Sequence, residues 1–211
     1  MDISKVKNII FDLGGVVIDI EFDQTFQAFS SLCNCDIYSV VARFEALNII
    51  QAYDTGQIND GEFRDLIRKE LKTTLTDLQI DQAWNALLMD IPTERINLIR
   101  NLSNNYRLFV LSNTNNIHIL ELNNILFKSS GEKDLHNLFE KVYFSYQIGM
   151  RKPDLEIYEF VLKEQGLIPE ETLFLDDNLD NIQGALQTGM HCVQVNKPVT
   201  ILEILQNAKK N

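Results

Sequence analysis

The sequence predicts an α/β protein: a doubly wound parallel sheet with an inserted block of helices. Five short apolar runs are typical of buried strands, and helical patterns separate the later runs, which is the order of parallel β-α-β units. Residues from about 20 to 90 contain helical stretches but no convincing strand. A chain of 211 residues is long enough for one well-buried domain that carries such an insert.

The individual elements follow from these patterns in chain order. The predicted strands are 6–12 (VKNIIFD), 107–112 (RLFVLS), 141–146 (KVYFSY), 172–177 (TLFLDD) and 192–196 (CVQVN). The predicted helices are 60–71, 77–89, 93–102 and 154–166. The last two have apolar residues at helical spacing, and the last one stops at a glycine, as helices commonly do.

The first two predicted helices begin with capping boxes, in which a polar side chain pairs with the residue three positions later. The boxes pair Asn59 with Glu62 and Thr76 with Gln79. We therefore expect a helical cap over residues 19–91 and an α/β core formed by residues 1–18 and 92–211. Pro92 marks the return of the chain to the core.

The charge balance limits the partners of this protein. Its formal net charge is −11, from 30 acidic and 19 basic residues, and no basic stripe offsets the excess. We therefore expect neither a nucleic acid nor an anionic membrane as partner. An anionic substrate would need local positive charge, most simply a divalent cation and a placed lysine. No apolar run approaches the ~20 residues that span a bilayer.

The cysteines and the first residues indicate a cellular compartment. Cys33, Cys35 and Cys192 are odd in number and form no CxxC pair. The start, MDISKVKNIIFDL, has an acidic second residue and leads directly into a strand, so we expect no signal peptide. Together these features predict reduced thiols in the cytoplasm, without a disulfide framework or a zinc site.

Reactive polar groups follow four of the five predicted strands. They are Asp12 in FDLGGVVID, Ser112 and Asn113, Lys152 in GMRKPD, and the pair Asp176 and Asp177. Each has an ordinary structural explanation by itself, as a tight turn, a helix N-cap or a solvated lysine. However, ligands of open parallel sheets bind beyond the carboxyl ends of the strands. We therefore expect these side chains to converge on one site.

This set of side chains suits phosphoryl transfer. Asp12 and the acid pair can hold Mg²⁺ through oxygen ligands. Asp12 can also attack phosphorus in line and form an aspartyl-phosphate that is later hydrolysed. Lys152 offsets charge on the transferring group, while the Ser112 hydroxyl and neighbouring backbone N–H groups hold its oxygens. The glycines after Asp12 allow a backbone carbonyl to reach the metal and backbone amides to reach phosphate.

Four stretches carry a resemblance to a known family. They are IIFDLGGVVIDIEF, VLSNTN, GMRKPDLEIYEFVL and LFLDDNLDNIQGA. Over essentially its whole length the sequence resembles the haloacid dehalogenase (HAD) superfamily, with all four motifs in order and the helical insert of small-capped members. Within it, the sequence is most similar to bacterial sugar-phosphate phosphatases of the α-D-glucose-1-phosphate type. The resemblance implies strand order 3-2-1-4-5 and hydrolysis of small phosphorylated metabolites, with sugar phosphates expected.

The resemblance also implies roles for the residues at the strand ends. The implied Mg²⁺ ligands are Asp12, which is also the nucleophile, the backbone carbonyl of Gly14, and Asp177. Asp176 is implied to orient metal-bound water without ligating the metal itself. Ser112 and Asn113 are implied to hold phosphate, and Lys152 to tie the phosphate to the nucleophile.

Position 14 departs from the pattern of the superfamily. Most of its phosphatases have a second aspartate there, which protonates the leaving group, whereas this chain has Gly14. The sugar-phosphatase subgroup shares the departure. We expect a leaving group that departs unprotonated, and therefore faster cleavage of aryl phosphates, and of sugar 1-phosphates over 6-phosphates. Alternatively the proton comes from water or from the cap, where Asp19, Glu21 and Asp23 are the candidates.

Three other functions stay open at this point. A carbon–halogen hydrolase with the same fold also lacks the second aspartate, but it needs no metal and has no use for Asp176 and Asp177. A signalling receiver domain combines the same residue types around Mg²⁺, but its acid pair lies on the first strand and it has no cap. A catalytically silent binding protein would keep the fold and lose the reaction. Neither the sugar nor the oligomeric state follows from the sequence.

Overall fold

The centre of the molecule is a five-stranded parallel sheet, which the computed structural model places within the described residues, 5–46 and 48–205. The strands are β1 (Asn8–Phe11), β2 (Arg107–Ser112), β3 (Lys141–Phe144), β4 (Thr172–Asp176) and β5 (His191–Gln194). Their order in the sheet is β3-β2-β1-β4-β5. This confirms the predicted fold class and the strand order 3-2-1-4-5, and it puts β1 at the centre.

Helices cover both faces of the sheet. On one face lie α6 (Thr93–Leu102), α7 (Asn116–Ser130) and α11 (Ile201–Leu205), and on the other lie α9 (Leu155–Gln165) and α10 (Leu179–Leu186). A one-turn helix, α8 (Ser145–Ile148), follows β3. Side chains of β1 alternate between the faces, with Ile9 and Phe11 in one apolar cluster and Ile10 in the other. All four residues of β1 are buried, as expected for a central strand.

Five helices lie between β1 and α6, and the described part of this segment contains no strand of the sheet. They are α1 (Phe22–Cys33), α2 (Ile37–Ala46), α3 (Ile49–Asp54), α4 (Asp60–Leu71) and α5 (Asp77–Asn85). Both predicted capping boxes form, at Asn59 and at Thr76. Helix α4 has the predicted bounds. Helix α5 ends four residues before the predicted limit, because the chain turns after Asn85 and pairs with the segment that enters the insert.

The remaining sequence predictions are close in their bounds. Helix α6 spans its predicted residues, and α9 lies one residue inside its predicted range at each end, between the caps Asp154 and Gly166. Strand β3 is two residues shorter than predicted, because Ser145 already begins α8. The other differences at strand ends are one or two residues. The sequence pattern gives no bounds for helix α7.

The segments that lead into and out of the insert run side by side. Asp19 donates its N–H to Asp90 O at 3.2 Å and accepts from the N–H of Met89 at 2.9 Å, and the N–H of Glu21 donates to Leu87 O at 2.9 Å. This pairing supports our proposal of a cap over 19–91 on a core of 1–18 and 92–211. Residues 1–4 and 206–211 of that core, and Leu47 of the cap, lie outside the described residues.

The helices of the insert share an apolar cluster with the core. Phe29, Phe63 and Trp84 lie in this cluster, and so does Ile117, which belongs to α7 of the core. The apolar cluster of the cap is therefore formed almost entirely by cap side chains, and Ile117 of the core completes it. Throughout the described residues, every helix is too short or too polar to cross a lipid bilayer.

Candidate active site

A tight turn holds Asp12 at the carboxyl end of β1. The N–H of Asp12 donates to Leu175 O at 2.8 Å, which continues the pairing with β4. The next residues fold back on themselves, because the carbonyl of Leu13 accepts from the N–H of Val17 at 2.8 Å and of Ile18 at 3.0 Å. The turn interpretation of FDLGGVVID is therefore correct, and the same turn leaves the Asp12 carboxyl at the sheet edge.

Gly15 is required for this turn and for the approach of Asp177. Its φ of +70° lies in the left-handed region, where side chains cost conformational energy. A Cβ at Gly15 would also overlap the Asp177 carboxylate. At Gly14, by contrast, a Cβ would meet only the flexible tip of Ile20, with Cδ1 at 2.9 Å. The first glycine of the pair can therefore accommodate a side chain far more easily than the second.

Lys152 is buried between two carboxylates. Its side chain is 1% exposed, and Nζ donates to Asp12 Oδ1 at 2.8 Å and to Asp176 Oδ2 at 2.5 Å. Burial alone would lower the pKa of Lys152, but the two carboxylates outweigh burial and raise it. The lysine is therefore charged, and it is not the solvated surface lysine that its sequence position also allowed.

The loop that carries Lys152 is held by the end of the neighbouring strand β2. Asn113 Oδ1 accepts from the N–H of Lys152 at 2.9 Å, and Asn113 Nδ2 donates to Lys152 O at 2.8 Å. Ser112, 4% exposed, closes β2 beside it. The N-cap of α7 is Asn115, so neither Ser112 nor Asn113 has the helix-capping role that the sequence also permitted.

Asp176 is fully buried and its oxygens are occupied. Besides Lys152, it accepts from the N–H of Asn178 at 2.8 Å and from Asn181 Nδ2 at 3.0 Å. Asn178, and neither aspartate, is the N-cap of α10. Asp177 is only partly buried and faces the turn at Gly15. The two adjacent carboxyl groups therefore have different surroundings, one enclosed by donors and one open.

The donor set at this edge fits a divalent cation. Asp12, Asp176 and Asp177 each offer a carboxylate oxygen, and the three oxygens lie within 4.8 Å of one another. Burial and the neighbouring Asp176 raise the pKa of Asp12 to about 7, although Lys152 acts against them. Burial and Asp176 also raise the pKa of Asp177. Three carboxylates beside one ammonium group leave an excess of two formal negative charges, which Mg²⁺ would neutralise with the oxygen ligands it prefers.

A cavity of about 120 Å³ lies between the cap helices and this edge of the sheet. Leu13 and Gly14, which directly follow Asp12, line it, as do Ser112 and Asn113. Most of its wall is apolar and comes from α1, α5 and the segments beside them. The polar side chains among the remaining lining residues are Thr25, Asp54, Thr114 and His118, together with the Trp84 indole.

Comparison with known proteins identifies the family. The model of the haloacid dehalogenase-like hydrolases matches residues 6–189. The chain belongs to this family. The match covers most of both halves of the predicted core and all of the proposed insert, and it confirms the prediction of a hydrolase.

Relatives of this HAD-like hydrolase cover almost its whole length. D-ribitol-5-phosphate phosphatase of Bacteroides thetaiotaomicron is 34% identical over 189 residues, which are 90% of this chain and 91% of the relative. A HAD family enzyme of the same organism has a crystal structure with a TM-score of 0.89, at 32% identity over 95% of this chain and 98% of that one. Its complex with magnesium and inorganic phosphate gives a TM-score of 0.85, at 33% identity over 92% and 96%.

Asp54 is a residue of this cavity that the sequence reasoning missed. It ends α3, is buried, and its Oδ1 accepts from Asn115 Nδ2 at 2.9 Å. Asn115 Oδ1 in turn accepts from Trp84 Nε1 at 3.2 Å. Burial raises the pKa of Asp54 to about 6, while the hydrogen bond from Asn115 and the charge of Arg151 act in the opposite direction. The cap and the core of this HAD-like hydrolase are thus joined at Asn115.

A close contact places the end of α3 against the core. Gly56 has a φ of +68°, and a Cβ there would overlap the backbone carbonyl of Tyr146 in α8. The glycine therefore allows the chain after Asp54 to touch the core directly. The signal in the sequence is weak, because a carboxylate followed by Thr-Gly at a helix end is an ordinary turn. Asp54 can be recognised as a residue of the cavity only from its contact with Asn115, which comes from a distant segment of the chain.

The three candidate proton donors near the start of the cap lie elsewhere. Asp19 pairs with Arg95 at 2.9 Å, and Glu21 pairs with Lys197 at 2.8 Å. Asp23 is exposed on the first turn of α1. None of the three lines the described wall of the cavity beside Gly14.

Proposed function

We propose that this protein is a Mg²⁺-dependent phosphomonoester hydrolase that acts on small phosphorylated metabolites, with sugar phosphates preferred. The observation that carries the proposal is the buried group of Asp12, Lys152 and Asp176, with Asp177 beside it, next to the cavity under the cap helices. Family membership and the D-ribitol-5-phosphate phosphatase relative support it.

Asp12, the Gly14 carbonyl and Asp177 would hold the metal. Asp176 accepts hydrogen bonds from Lys152, Asn178 and Asn181, so it supports this site from behind rather than facing the cavity. When bound, Mg²⁺ supplies positive charge that lets a phosphate dianion approach the carboxylates. The crystal complex of the related enzyme with magnesium and inorganic phosphate supports Mg²⁺ as the cofactor.

In the proposed first step, an oxygen of Asp12 attacks phosphorus while the bond from phosphorus to the leaving oxygen breaks. Lys152 balances charge between Asp12 and the transferring group, and the Ser112 hydroxyl donates to a phosphate oxygen. The side chain of Asn113 is engaged with the backbone of Lys152, so its contribution to phosphate binding comes from its backbone N–H. In the second step, water attacks phosphorus, which releases phosphate and restores the Asp12 carboxylate.

The cavity favours small substrates. Its volume of about 120 Å³ and its cover of cap helices exclude polymers and folded proteins. His118 contributes a neutral ring, because burial lowers its pKa to about 3, and its Nδ1 lies 2.9 Å from Asn85 Oδ1. Since Asn85 Oδ1 can only accept, Nδ1 carries the proton and Nε2 is left as an acceptor for a substrate hydroxyl. We place the reaction in the cytoplasm, with no nucleic acid or membrane partner.

Release of phosphate from a panel of phosphomonoesters, with Mg²⁺ and then with chelator, tests the proposal. We expect turnover of sugar and polyol phosphates that stops when the metal is removed. Turnover that survives the chelator, together with halide release from 2-haloacids, would instead establish the carbon–halogen hydrolase. Absence of any turnover, with binding retained, would establish the silent binding protein.

A further inference from the structure

We propose that Asp54 donates the proton to the leaving oxygen of the substrate. In most phosphatases of the superfamily an aspartate at position 14 does this, and this chain has a glycine there. The inference rests on the proposed phosphatase function. Asp54 belongs to the cap and lies 42 positions after the nucleophile Asp12 in the sequence. In this proposal the cap therefore supplies a catalytic group to the site. The inference also replaces the expectation that the leaving group departs unprotonated.

The first argument is position. Asp54 and Gly14 line the same cavity, Asp54 from the cap and Gly14 from the turn that follows the nucleophile. Among the described residues that line this cavity, Asp54 is the one carboxyl group and His118 is the one other ionisable side chain. We expect the leaving group to enter this cavity, because Leu13 and Gly14, which line it, directly follow Asp12.

The second argument is the hydrogen bonding of Asp54. Its Oδ1 accepts from Asn115 Nδ2 at 2.9 Å, and within the described residues no hydrogen bond reaches Oδ2. One oxygen is therefore held in place and the other is free to carry a proton. Asn115 is itself fully buried and fixed by Trp84 and by the N–H of His118, which gives the carboxyl group a defined position.

The third argument is the charge environment. His118 faces the cavity from α7 and Arg151 lies in the segment after α8. Burial raises the pKa of Asp54 to about 6, and Arg151 moderates the rise. A carboxyl group with such a pKa is protonated often enough near neutral pH to act as an acid. His118 is unsuited to this task, because burial lowers its pKa to about 3.

The proton balance of the reaction then closes. As an Asp12 oxygen bonds to phosphorus and the bond to the leaving oxygen breaks, the Asp54 proton passes to that oxygen. The products are a neutral alcohol, an aspartyl-phosphate and an Asp54 carboxylate. When water attacks phosphorus in the second step, Asp54 accepts one of its protons, the bond from phosphorus to Asp12 breaks, and both carboxyl groups return to their starting forms.

The test is the dependence of kcat/KM on the leaving group in wild type and Asp54→Asn. The asparagine keeps the shape of the side chain and can still accept from Asn115. For a primary alkyl phosphate we expect the variant to lose about 10²–10⁴-fold, the usual contribution of general acid catalysis. For p-nitrophenyl phosphate, whose leaving group needs no proton, we expect little change. The slope of log kcat/KM against leaving-group pKa should be shallow in wild type and steep in the variant.

Two further variants sharpen the experiment. Asp60→Asn removes another cap carboxyl group, hydrogen-bonded to Tyr53 and Asn116 but outside the cavity, and should leave the slope unchanged. Adding Gly14→Asp to Asp54→Asn should restore a shallow slope, because the new side chain displaces only the tip of Ile20.

In wild type, kcat/KM for alkyl phosphates should fall as the pH rises above about 6, where Asp54 loses its proton, and this decline should be absent in Asp54→Asn.

The outcomes separate this inference from the proposed function. If Asp54→Asn keeps the shallow slope, or lowers aryl and alkyl cleavage equally, Asp54 is not the donor, whatever the wild-type activity. If wild type hydrolyses neither aryl nor alkyl phosphates with Mg²⁺, the proposed function itself is wrong. Retained cleavage of p-nitrophenyl phosphate shows that the variant is folded.

Discussion

Asn113 makes both of its side-chain hydrogen bonds to the backbone of Lys152, one to the N–H at 2.9 Å and one to the carbonyl at 2.8 Å. The pair ties the end of β2 to the loop after α8. The position of the ammonium group between Asp12 and Asp176 therefore depends on a residue that does not touch it. The family resemblance implies that Asn113 holds phosphate, and because its side-chain amide is bonded to Lys152, its backbone N–H is the group we propose for that contact.

Asn113→Ala should therefore affect stability and activity together. Loss of two partly buried hydrogen bonds is expected to lower the free energy of unfolding by about 1–3 kcal/mol. It should also lower kcat, because Lys152 loses its fixed position. Urea unfolding and steady-state kinetics measure the two effects. Asn104→Ala, which removes one exposed bond within a turn, is the matched control. Wild-type stability in Asn113→Ala would contradict the prediction.

Asp12→Asn should abolish turnover and leave the fold intact. An amide of the same shape cannot act as the anionic nucleophile. The change also removes one of three clustered carboxylates, so we expect no loss of thermal stability. Activity assays and intact-protein mass spectrometry on quenched reactions are the measurements, since only wild type should carry a phosphoryl group. Substantial activity without deamidation back to aspartate would rule out the covalent route.

Removal of Asp177 should weaken Mg²⁺ binding. Asp177→Asn takes one negative charge and one oxygen ligand from the site, and calorimetric titration with Mg²⁺ measures the loss of affinity. Asp180→Asn is the matched control, because Asp180 is an exposed acid three residues later, on the first turn of α10. We expect a clear loss of affinity in the first variant only. Equal affinity in both variants would place the metal elsewhere.

Alanine at the two glycines of the turn should give opposite results. Gly15→Ala requires an unfavourable positive φ and displaces the Asp177 carboxylate, so Mg²⁺ affinity and activity should both fall. Gly14→Ala displaces only the tip of Ile20, so the fold and metal binding should be retained. Mg²⁺ titration and thermal unfolding of the two variants test the contrast. Similar losses in both would mean that the turn differs from the one described.

The raised pKa of Asp54 predicts a pH dependence of stability that can be measured without substrate. Burial raises this pKa from 3.8 to about 6 in the folded chain. The folded state therefore holds the proton more tightly, and stability from this group is lost as the pH rises through 6. Asp54→Asn lacks the buried charge, so its stability relative to wild type should increase between pH 4 and pH 8, by roughly 1–3 kcal/mol. Denaturant unfolding at both pH values measures this, and an unchanged difference would contradict it.

The sheet could be predicted from sequence because its strands are continuous apolar runs separated by helices. The grouping of polar side chains at one edge of the sheet could be predicted because Asp12, Ser112 and Asp176 end such runs, and the ends of parallel strands meet there. The strand order came from the family resemblance, since periodicity carries no information on which strands are neighbours. Lys152 could be placed at the site, but its burial depends on partners far away in the chain.

The cap was less predictable for a physical reason. Helices can be recognised from spacing and caps, as at Asn59 and Thr76, but the orientation of a helical insert over a sheet depends on tertiary contacts. Asp54 becomes a site residue only because Gly56 lets the chain touch Tyr146 and because Asn115 reaches across from the core. No local pattern contains that information. The acids chosen from sequence, Asp19 and Glu21, instead pair with basic residues near the linkers.

The burial of Ile117 among the cap side chains has a consequence for folding. Ile117 belongs to a core helix, and the neighbouring Asn115 both caps that helix and bonds to Asp54 of the cap. A cap that separated from the core would expose an apolar side chain to water and break the hydrogen bonds of Asn115 with Asp54 and Trp84, each at a free-energy cost. The two parts should therefore melt together in one cooperative transition, and the reaction chamber exists only while the whole chain is folded.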